Sequence, residues 1–395
     1  MTGVIRLGVA GLGRAFMLML PTFARDPRIR LVAAADPRPP ARARFTQEFG
    51  GHAYESVAEM CADPAIDAVY VATPHEMHVE HVRLAVAHGR HVLVEKPMAL
   101  TVADCAAMVA AADAAGVHLL VGHSHSFDLP YLRTRALIAG GAFGRVRMIT
   151  ALNYTDFLYR PRRPEELDTA QGGGAVANQA AHQVDVVRLF ANAPARSVRA
   201  AAGVWDPARP IEGAYTAFLD FEGGVAASLT YSGYGRFDTD ELCGWIGEMG
   251  QERDPAAYGE ARRRLRGVKS GAEEAALRDR RGYGEANVSV PKPPAAHNHF
   301  GLIVVSCERA DLRPLPTGVM IFGEEERRFD PLPAPAIPRA EVIDELAAAI
   351  LDGTPPLHSG TWGLATVEIC QAMLASAREG REMPLVHQKE KASCR

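Results

Sequence analysis

Short apolar runs alternate, along the first third of the chain, with segments whose apolar residues recur every three or four positions. The apolar runs predict β-strands at residues 5–10, 31–35, 68–72, 91–95 and 119–122. The periodic segments predict helices from the first glycine turn to about residue 25, and at 41–49, 76–88 and 101–116, the last with Thr101 as its N-cap. Because strands that alternate with amphipathic helices form a parallel sheet covered on both faces, residues 1–123 are predicted to be a doubly wound α/β domain.

At 395 residues, the chain is long enough for a second domain, which we place at residues 124–395. It contains a glycine- and charge-rich insert at about 235–295, for which two short helices are predicted. A solvated excursion, a lid and an oligomer arm are all compatible with that composition. Helices are also predicted at about 339–352 and 361–380.

Composition narrows the possible partners. The net charge of −4 shows no basic excess, so nucleic acid is not an expected partner. No run approaches 18 apolar residues and the chain opens directly on a strand, so we expect no membrane partner and a cytoplasmic location. The six cysteines form no CxxC pair, which favours a reduced protein without structural zinc. His75, His78 and His81 repeat at every third position, but no defined ligand set accompanies them, so no metal is expected.

The sequence Gly11-Leu12-Gly13 follows the first predicted strand and precedes a helix. A turn of this kind lets backbone N–H groups approach a pyrophosphate, and the helix dipole adds attraction. Phe16 occupies the place of the third glycine of the usual motif. These features predict a dinucleotide site with Gly11 and Gly13 at its phosphates.

Asp36 ends the second predicted strand, 23 positions after Gly13. An acid at that point suits the two hydroxyls of an adenosine ribose and repels a 2′-phosphate, so NAD is the favoured coenzyme. Arg38 and Arg42 lie close by in the sequence and could bind a 2′-phosphate, so NADP remains an alternative coenzyme.

Polar residues follow two further strands. Thr73-Pro74 comes after the strand at 68–72, and Glu95-Lys96-Pro97 follows the strand at 91–95. The carboxyl ends of parallel strands share one edge of the sheet, where α/β proteins bind ligands. We therefore predict that these residues face the nicotinamide end of the coenzyme.

The segments "VAGLGRAF", "AAADP", "VATPHEMH" and "VLVEKPMAL", in this order and spacing, resemble the glucose–fructose oxidoreductase and inositol dehydrogenase (Gfo/Idh/MocA) family. The resemblance implies a Rossmann domain followed by an α+β domain with a large, open, mostly antiparallel sheet. It also implies an NAD(P)-dependent oxidoreductase acting on a sugar-like or cyclic polyol, and a homo-oligomer (dimer or tetramer). On the matching motifs, it adds Arg14, Ala15 and His78 to the expected coenzyme contacts.

The segment "AVANQAAHQVDVVRLF" (175–190) extends the resemblance and has helical periodicity. Asn178, His182 and Asp185 follow at i, i+4 and i+7, so they are predicted to share one helical face. The family match favours His182 as a site residue. Asn178 stands where the family usually has an aspartate, and its amide can orient a substrate hydroxyl group but cannot accept the proton of that group. The base is therefore predicted to be Lys96 or His182, and Lys96 needs a lowered pKa for that role.

The substrate is expected to be a small molecule. "VGHSHSFD" places histidines at 123 and 125, and "NYTDFLYRPRRPEEL" places Tyr159, Arg160 and Arg163 in a predicted substrate-side loop. Arginine forks bind carboxylates. The chain resembles the branch of the family that oxidises phthalate 4,5-cis-dihydrodiol to 4,5-dihydroxyphthalate. Three alternatives stay open: a sugar or inositol dehydrogenase, a lyase or hydrolase that recycles tightly bound NAD, and a non-catalytic dinucleotide sensor.

Overall fold

A computed structural model describes residues 3–280, 282–284 and 294–388. Contacts divide the chain into two compact units. The first unit comprises Met1–His123, Ala272–Pro293 and Ala336–Val367, and the second comprises Ser124–Gly271, Pro294–Pro335 and Glu368–Arg395.

The sequence-based division assigned everything after residue 123 to the second domain. In the structure, two later segments pack with the first unit instead. Ser359 pairs with Leu120 at the edge of the first sheet, and the ring of Tyr283 lies edge-on to Phe16 at 5.2 Å between centroids. Such long-range packing leaves no periodicity in the sequence, which is why the pattern did not predict it.

The first unit contains a six-stranded, wholly parallel sheet in the order β3-β2-β1-β4-β5-β6. Its strands are β1 (Ile5–Ala10), β2 (Ile29–Ala35), β3 (His52–Tyr54), β4 (Ala68–Val71), β5 (His91–Val94) and β6 (Leu119–Val121). The intervening helices are α1 (Arg14–Phe23), α2 (Pro39–Phe49), α3 (Val57–Cys61), α4 (His78–Ala87) and α5 (Val102–Ala115). The doubly wound fold is therefore confirmed, and β4 is buried along its whole length, as a central strand should be.

Local sequence explains how these helices begin. Thr101 is confirmed as the N-cap of α5, where its hydroxyl accepts the backbone N–H of Asp104 at 3.0 Å. Ser56 caps α3 in the same way. β3 was not predicted because it has only three residues and none of them is buried, and α3 was not predicted because its five residues are too few to show a helical period.

The second unit contains a nine-stranded sheet in the order β14-β13-β12-β11-β7-β10-β9-β8-β15, in which only β7 and β10 pair in parallel. The strands are β7 (Val146–Tyr154), β8 (Ala195–Gly203), β9 (Ala214–Phe221), β10 (Ala226–Ser232), β11 (Leu302–Cys307), β12 (Ala310–Leu315), β13 (Gly318–Gly323), β14 (Arg327–Pro331) and β15 (Met383–Pro384). This large, mostly antiparallel sheet is the one that the family resemblance implied, and the prediction is confirmed.

The remaining helices are α6 (Leu129–Ala139), α7 (Ala181–Ala191), α8 (Glu260–Arg266), α9 (Gly271–Asp279), α10 (Ala340–Asp352) and α11 (Gly360–Glu379). The two short helices predicted for the insert correspond to α8 and α9, whereas residues 281 and 285–293 of that insert lie outside the described part of the chain. Over the described ranges, no helix combines the length and apolarity needed to cross a bilayer.

A π-helical turn at Val176–Ala180 leads into α7. The prediction of one continuous α-helical face through Asn178, His182 and Asp185 is therefore wrong. A π turn is wider than an α turn, so a spacing of four residues no longer brings side chains into line.

Candidate active site

The glycine turn after β1 has the backbone geometry that close approach to a phosphate needs. Gly11 has a φ of +91°, and a Cβ there would stand 2.9 Å from the carbonyl oxygen of Ala72, so only glycine fits. At Gly13, the N-cap of α1, no heavy atom of the described residues other than its chain neighbours lies within 4 Å of a Cβ position. The predicted contacts Arg14 and Ala15 lie half-buried in the first helical turn. This cradle at a helix N-terminus fits the pyrophosphate of a dinucleotide.

Asp36 lies at the end of β2, as predicted, and is 4% exposed. One carboxylate oxygen accepts the backbone N–H of Leu12 at 2.9 Å, and the other accepts the backbone N–H and Nε of Arg38, each at 2.9 Å. Burial alone would raise the pKa of Asp36, but the hydrogen bonds and charge of Arg38 hold that pKa below its usual value. The carboxylate is thus ionised, and a ribose would have to share it with the Arg38 guanidinium.

The rim beyond β5 carries the predicted pair Glu95 and Lys96, both half-buried. The Tyr70 hydroxyl donates to Glu95 Oε1 at 2.5 Å. Burial raises the pKa of Glu95, although the Tyr70 hydrogen bond and the Lys96 charge act in the opposite direction. The backbone N–H of His123, whose side chain is buried, also interacts with this carboxyl group. Glu95 is therefore anchored to the sheet, and Lys96 follows it directly.

His78 is completely buried, and its place differs from the predicted contact with the coenzyme. Its Nδ1 lies 3.0 Å from the carbonyl oxygen of Pro97, and its Nε2 lies 3.0 Å from that of Thr73. Burial lowers the pKa of His78 to about 4. Because both ring nitrogens face backbone carbonyl groups, His78 can affect a ligand only through the two rim segments that it joins. Pro74, at the rim itself, is exposed.

In the second unit, His182 lies at the start of α7 and is 6% exposed. Its ring contacts those of His125 and Phe300, at 4.7 and 5.1 Å between centroids. The backbone N–H of His125 points to His182 Nδ1 at 3.4 Å, and Ser124 Oγ lies 3.5 Å from the same nitrogen. These contacts orient the imidazole with Nδ1 toward the protein.

His125 was predicted to bind substrate, but the structure encloses it between two carboxylates. Its Nδ1 lies 2.6 Å from Asp128 Oδ2, and its Nε2 lies 3.4 Å from Glu248 Oε1. Burial opposes protonation of His125, yet the two carboxylates outweigh it and raise its pKa. His125 is therefore a support for His182, and its own ring nitrogens are engaged.

Glu248 continues this network toward the predicted loop arginine. Arg160 Nη1 lies 3.7 Å from Glu248 Oε2, and Arg160 Nε donates to Asp156 Oδ1 at 2.8 Å. Burial would raise the pKa of Glu248, but the hydrogen bond from His125 and the charge of Arg160 lower it well below its usual value. The structure thus connects two predicted site residues, His125 and Arg160, through a carboxylate that lies 123 positions from His125 and that no motif in the chain marks.

Three other predicted substrate residues lie in different surroundings. Asn178 donates its amide to the carbonyl oxygens of Gly172 and Gly174, both at 2.9 Å, and so holds the glycine run. Tyr159 donates to Asp206 at 2.7 Å and packs against a small cluster of buried apolar residues. Arg163 is half-buried and precedes a short 3₁₀ turn at Pro164–Leu167.

Asp240 is a second carboxylate that the sequence did not reveal, paired with Arg253 at 3.1 Å and lying 3.5 Å from His299. Burial and then the charge of Asp238 raise its pKa to about 7. Between the ordinary pKa of an aspartate and about 7, Asp240 is protonated in the folded state but ionised in the unfolded chain. The free energy of unfolding therefore falls as pH rises through that window.

Replacing Asp240 with asparagine should therefore stabilise the protein at high pH. We expect Asp240→Asn to raise the free energy of unfolding by about 2 kcal/mol at pH 8 and to change it little at pH 4. Urea titrations at both pH values measure this difference. Asp311→Asn on β12 is the matched control, because Asp311 is exposed. Equal effects of Asp240→Asn at the two pH values would contradict the raised pKa.

Comparison with known proteins agrees with this architecture. A family profile described as an oxidoreductase family with an NAD-binding Rossmann fold matches residues 5–123. A second profile, the GFO/IDH/MocA C-terminal domain, matches residues 131–251. NAD as the coenzyme and an oxidoreductase activity, both predicted from the sequence, are thereby confirmed.

Individual relatives extend the match to nearly the whole chain. A 1-carboxy-3-chloro-3,4-dihydroxycyclohexa-1,5-diene dehydrogenase of Comamonas testosteroni is 46% identical over 377 residues, which are 95% of each chain. The crystal structure of a putative dehydrogenase from Bordetella bronchiseptica RB50 is similar with a TM-score of 0.89 and 42% identity, over 96% of this chain and 100% of that one. An aldose-aldose oxidoreductase from Caulobacter crescentus, 23% identical, shares the fold with a TM-score of 0.70 over 97% of this chain and 100% of that one.

Proposed function

The chain belongs to the Gfo/Idh/MocA family of NAD(P)-dependent oxidoreductases, and from that membership we propose that it oxidises a carboxylated cyclic cis-diol. The observation that carries this proposal is the 46% identity, over 95% of both chains, to a dehydrogenase named for a carboxylated dihydroxycyclohexadiene. We further propose phthalate 4,5-cis-dihydrodiol as the substrate and 4,5-dihydroxyphthalate as the product. Formation of the aromatic ring makes such an oxidation strongly favourable.

The coenzyme, when bound, accepts a hydride from the carbon that bears the reacting hydroxyl group. The protein's task is to remove the proton of that hydroxyl group. We assign this proton to the amine of Lys96, whose backbone is fixed at the end of β5 by its anchored neighbour Glu95. We assign to His182 a hydrogen bond to the substrate that shares or relays the same proton, because its Nδ1 is oriented by Ser124 and His125.

We propose that the substrate carboxylate is recognised from the loop that contains Arg160 and Arg163. Arg160 is already paired with Asp156 and Glu248, so a substrate carboxylate would compete with two protein carboxylates. That arrangement favours a supporting role for Arg160 beside His125. We propose that Arg163, which is half-buried in the same loop, contributes to binding of the substrate carboxylate, because the planar guanidinium of arginine can bind a carboxylate through two hydrogen bonds.

The expected substrate preference follows from these assignments. With NAD⁺, the phthalate cis-dihydrodiol should give kcat/KM at least about 100-fold higher than myo-inositol or glucose, because only the diol offers a carboxylate and an aromatic product. NADH absorbance measures each rate, and benzene cis-dihydrodiol, which lacks carboxylates, is the matched control. A higher kcat/KM for either uncharged polyol would replace the proposal with a sugar or inositol dehydrogenase.

A further inference from the structure

Residues 282–284, Gly-Tyr-Gly, lie against the glycine turn of the first unit although they come from the charged insert. We call this tripeptide the strap. The Tyr283 side chain is completely buried, its ring packs against Phe16, and the Arg44 guanidinium lies over the ring at 4.5 Å from its centroid. The Tyr283 hydroxyl donates to Glu48 on α2 at 2.7 Å. The strap therefore fills the groove between α1 and α2.

The two glycines of the strap make this approach possible. A Cβ on Gly284, whose φ is +99°, would stand 2.8 Å from Cα of Ala41 at the start of α2. A Cβ on Gly282 would stand 3.1 Å from Arg38 Nη1. Contacts this short require the backbone itself to lie against α2 and against the arginine that pairs with Asp36.

The backbone of the strap also fixes one peptide of the glycine turn. The Tyr283 N–H donates to the carbonyl oxygen of Leu12 at 3.1 Å, and Arg38 Nη2 donates to the same oxygen at 2.8 Å. The Leu12 N–H is in turn held by Asp36. The N–H and the carbonyl group of Leu12 are thus both hydrogen-bonded, so the two peptide groups that flank this residue have little freedom to rotate.

In a trans peptide the C=O and the following N–H point in opposite directions. Because the Leu12 carbonyl points toward the strap and Arg38, the N–H of Gly13 points away from them. A Cβ at Gly13 would meet no other described residue within 4 Å, apart from its chain neighbours, so there is open space beside this glycine. An N–H held in this direction at the start of α1 suits an anionic oxygen of a pyrophosphate.

We infer that the strap is part of the coenzyme site and that it sets dinucleotide affinity by holding the Leu12–Gly13 peptide in its phosphate-binding orientation. This inference rests on the coenzyme position proposed above. It assigns a function to the insert, whose role the sequence left open. Holding the donor in place before binding reduces the ordering that the ligand must impose, and affinity rises accordingly.

The test is the affinity of the full-length protein for NADH, measured by fluorescence titration. Tyr283→Ala and Gly284→Ala should each raise the Kd for NADH about tenfold, chiefly through faster dissociation. Tyr283→Phe keeps the ring and the strap backbone, so its Kd should stay within about threefold of the original. Tyr258→Ala is the matched control, because Tyr258 lies in the same insert and is 66% exposed.

Two further measurements distinguish a lost phosphate contact from a general loss of stability. The weakening should be as large for ADP as for NADH and much smaller for adenosine, which has no pyrophosphate. A lower melting temperature with unchanged Kd values would show that the strap only stabilises the fold and would overturn the inference, as would tighter binding. If Tyr283→Ala does not fold, Gly284→Ala, which creates no cavity, decides the question.

Failure of the coenzyme site itself gives a different result. Asp36→Ala and Gly11→Ala should weaken NADH binding whether or not the strap contributes. If neither variant changes the Kd, the proposed coenzyme position is wrong. If both weaken binding while the two strap variants bind normally, only the inference about the strap is wrong.

Discussion

Lys96→Ala should lower kcat for the diol by about 1,000-fold while changing the Kd for NADH by less than about threefold. Alanine removes the amine that we assign to the hydroxyl proton. It leaves the glycine turn and Asp36 in place, because their hydrogen bonds are made by Leu12, Arg38 and the backbone of β2. Steady-state rates of NADH formation and fluorescence titration with NADH measure the two quantities.

Two variants sharpen this prediction. Lys96→Arg keeps the positive charge but cannot release a proton near neutral pH, so it should be nearly as inactive as Lys96→Ala. Lys269→Ala removes an exposed lysine of the insert and should keep full activity. Near-normal turnover in Lys96→Ala would remove Lys96 from the mechanism. Recovery of activity in Lys96→Arg would show that charge, and not proton transfer, is its contribution.

The first sheet was predicted well from the sequence. Each strand of more than three residues is a mostly apolar run, and a segment with helical periodicity follows it. It also located the residues at strand ends, since Asp36 and Glu95 stand directly after buried strands. Strand ends are specified locally, by the point at which an apolar run stops. What happens at those ends was only partly predictable. That Arg38 would share the Asp36 carboxylate, or that His78 would turn inward to two carbonyl oxygens, depends on side-chain packing.

The site in the second unit was less accessible from the sequence, for a physical reason. His125 and Asp128 are three residues apart, so their pairing was open to prediction from the spacing. Glu248 comes from a distant loop, and no periodicity marks a carboxylate that is enclosed by tertiary contacts alone. The π turn before α7 was not predicted either, because its residue types are compatible with an ordinary α-helix.

Glu248→Gln should lower the free energy of unfolding by about 3 kcal/mol at pH 7. The substitution removes a charge that compensates the Arg160 guanidinium and favours the protonated form of His125, and glutamine cannot replace that charge. The depressed pKa of Glu248 in the folded state means that its contribution is present above the ordinary glutamate pKa and is lost as pH falls below it. The difference between the original protein and the variant should therefore shrink on acidification.

Urea unfolding at pH 7 and at pH 4 measures both the size and the pH dependence of this effect. Glu252→Gln, at an exposed glutamate four positions away, is the matched control and should change stability by less than about 0.5 kcal/mol. Because the His125 ring contacts that of His182, loss of the Glu248 charge should also lower turnover, with coenzyme affinity unchanged. A stable Glu248→Gln variant with normal turnover would show that this network neither holds the second unit together nor orients His182.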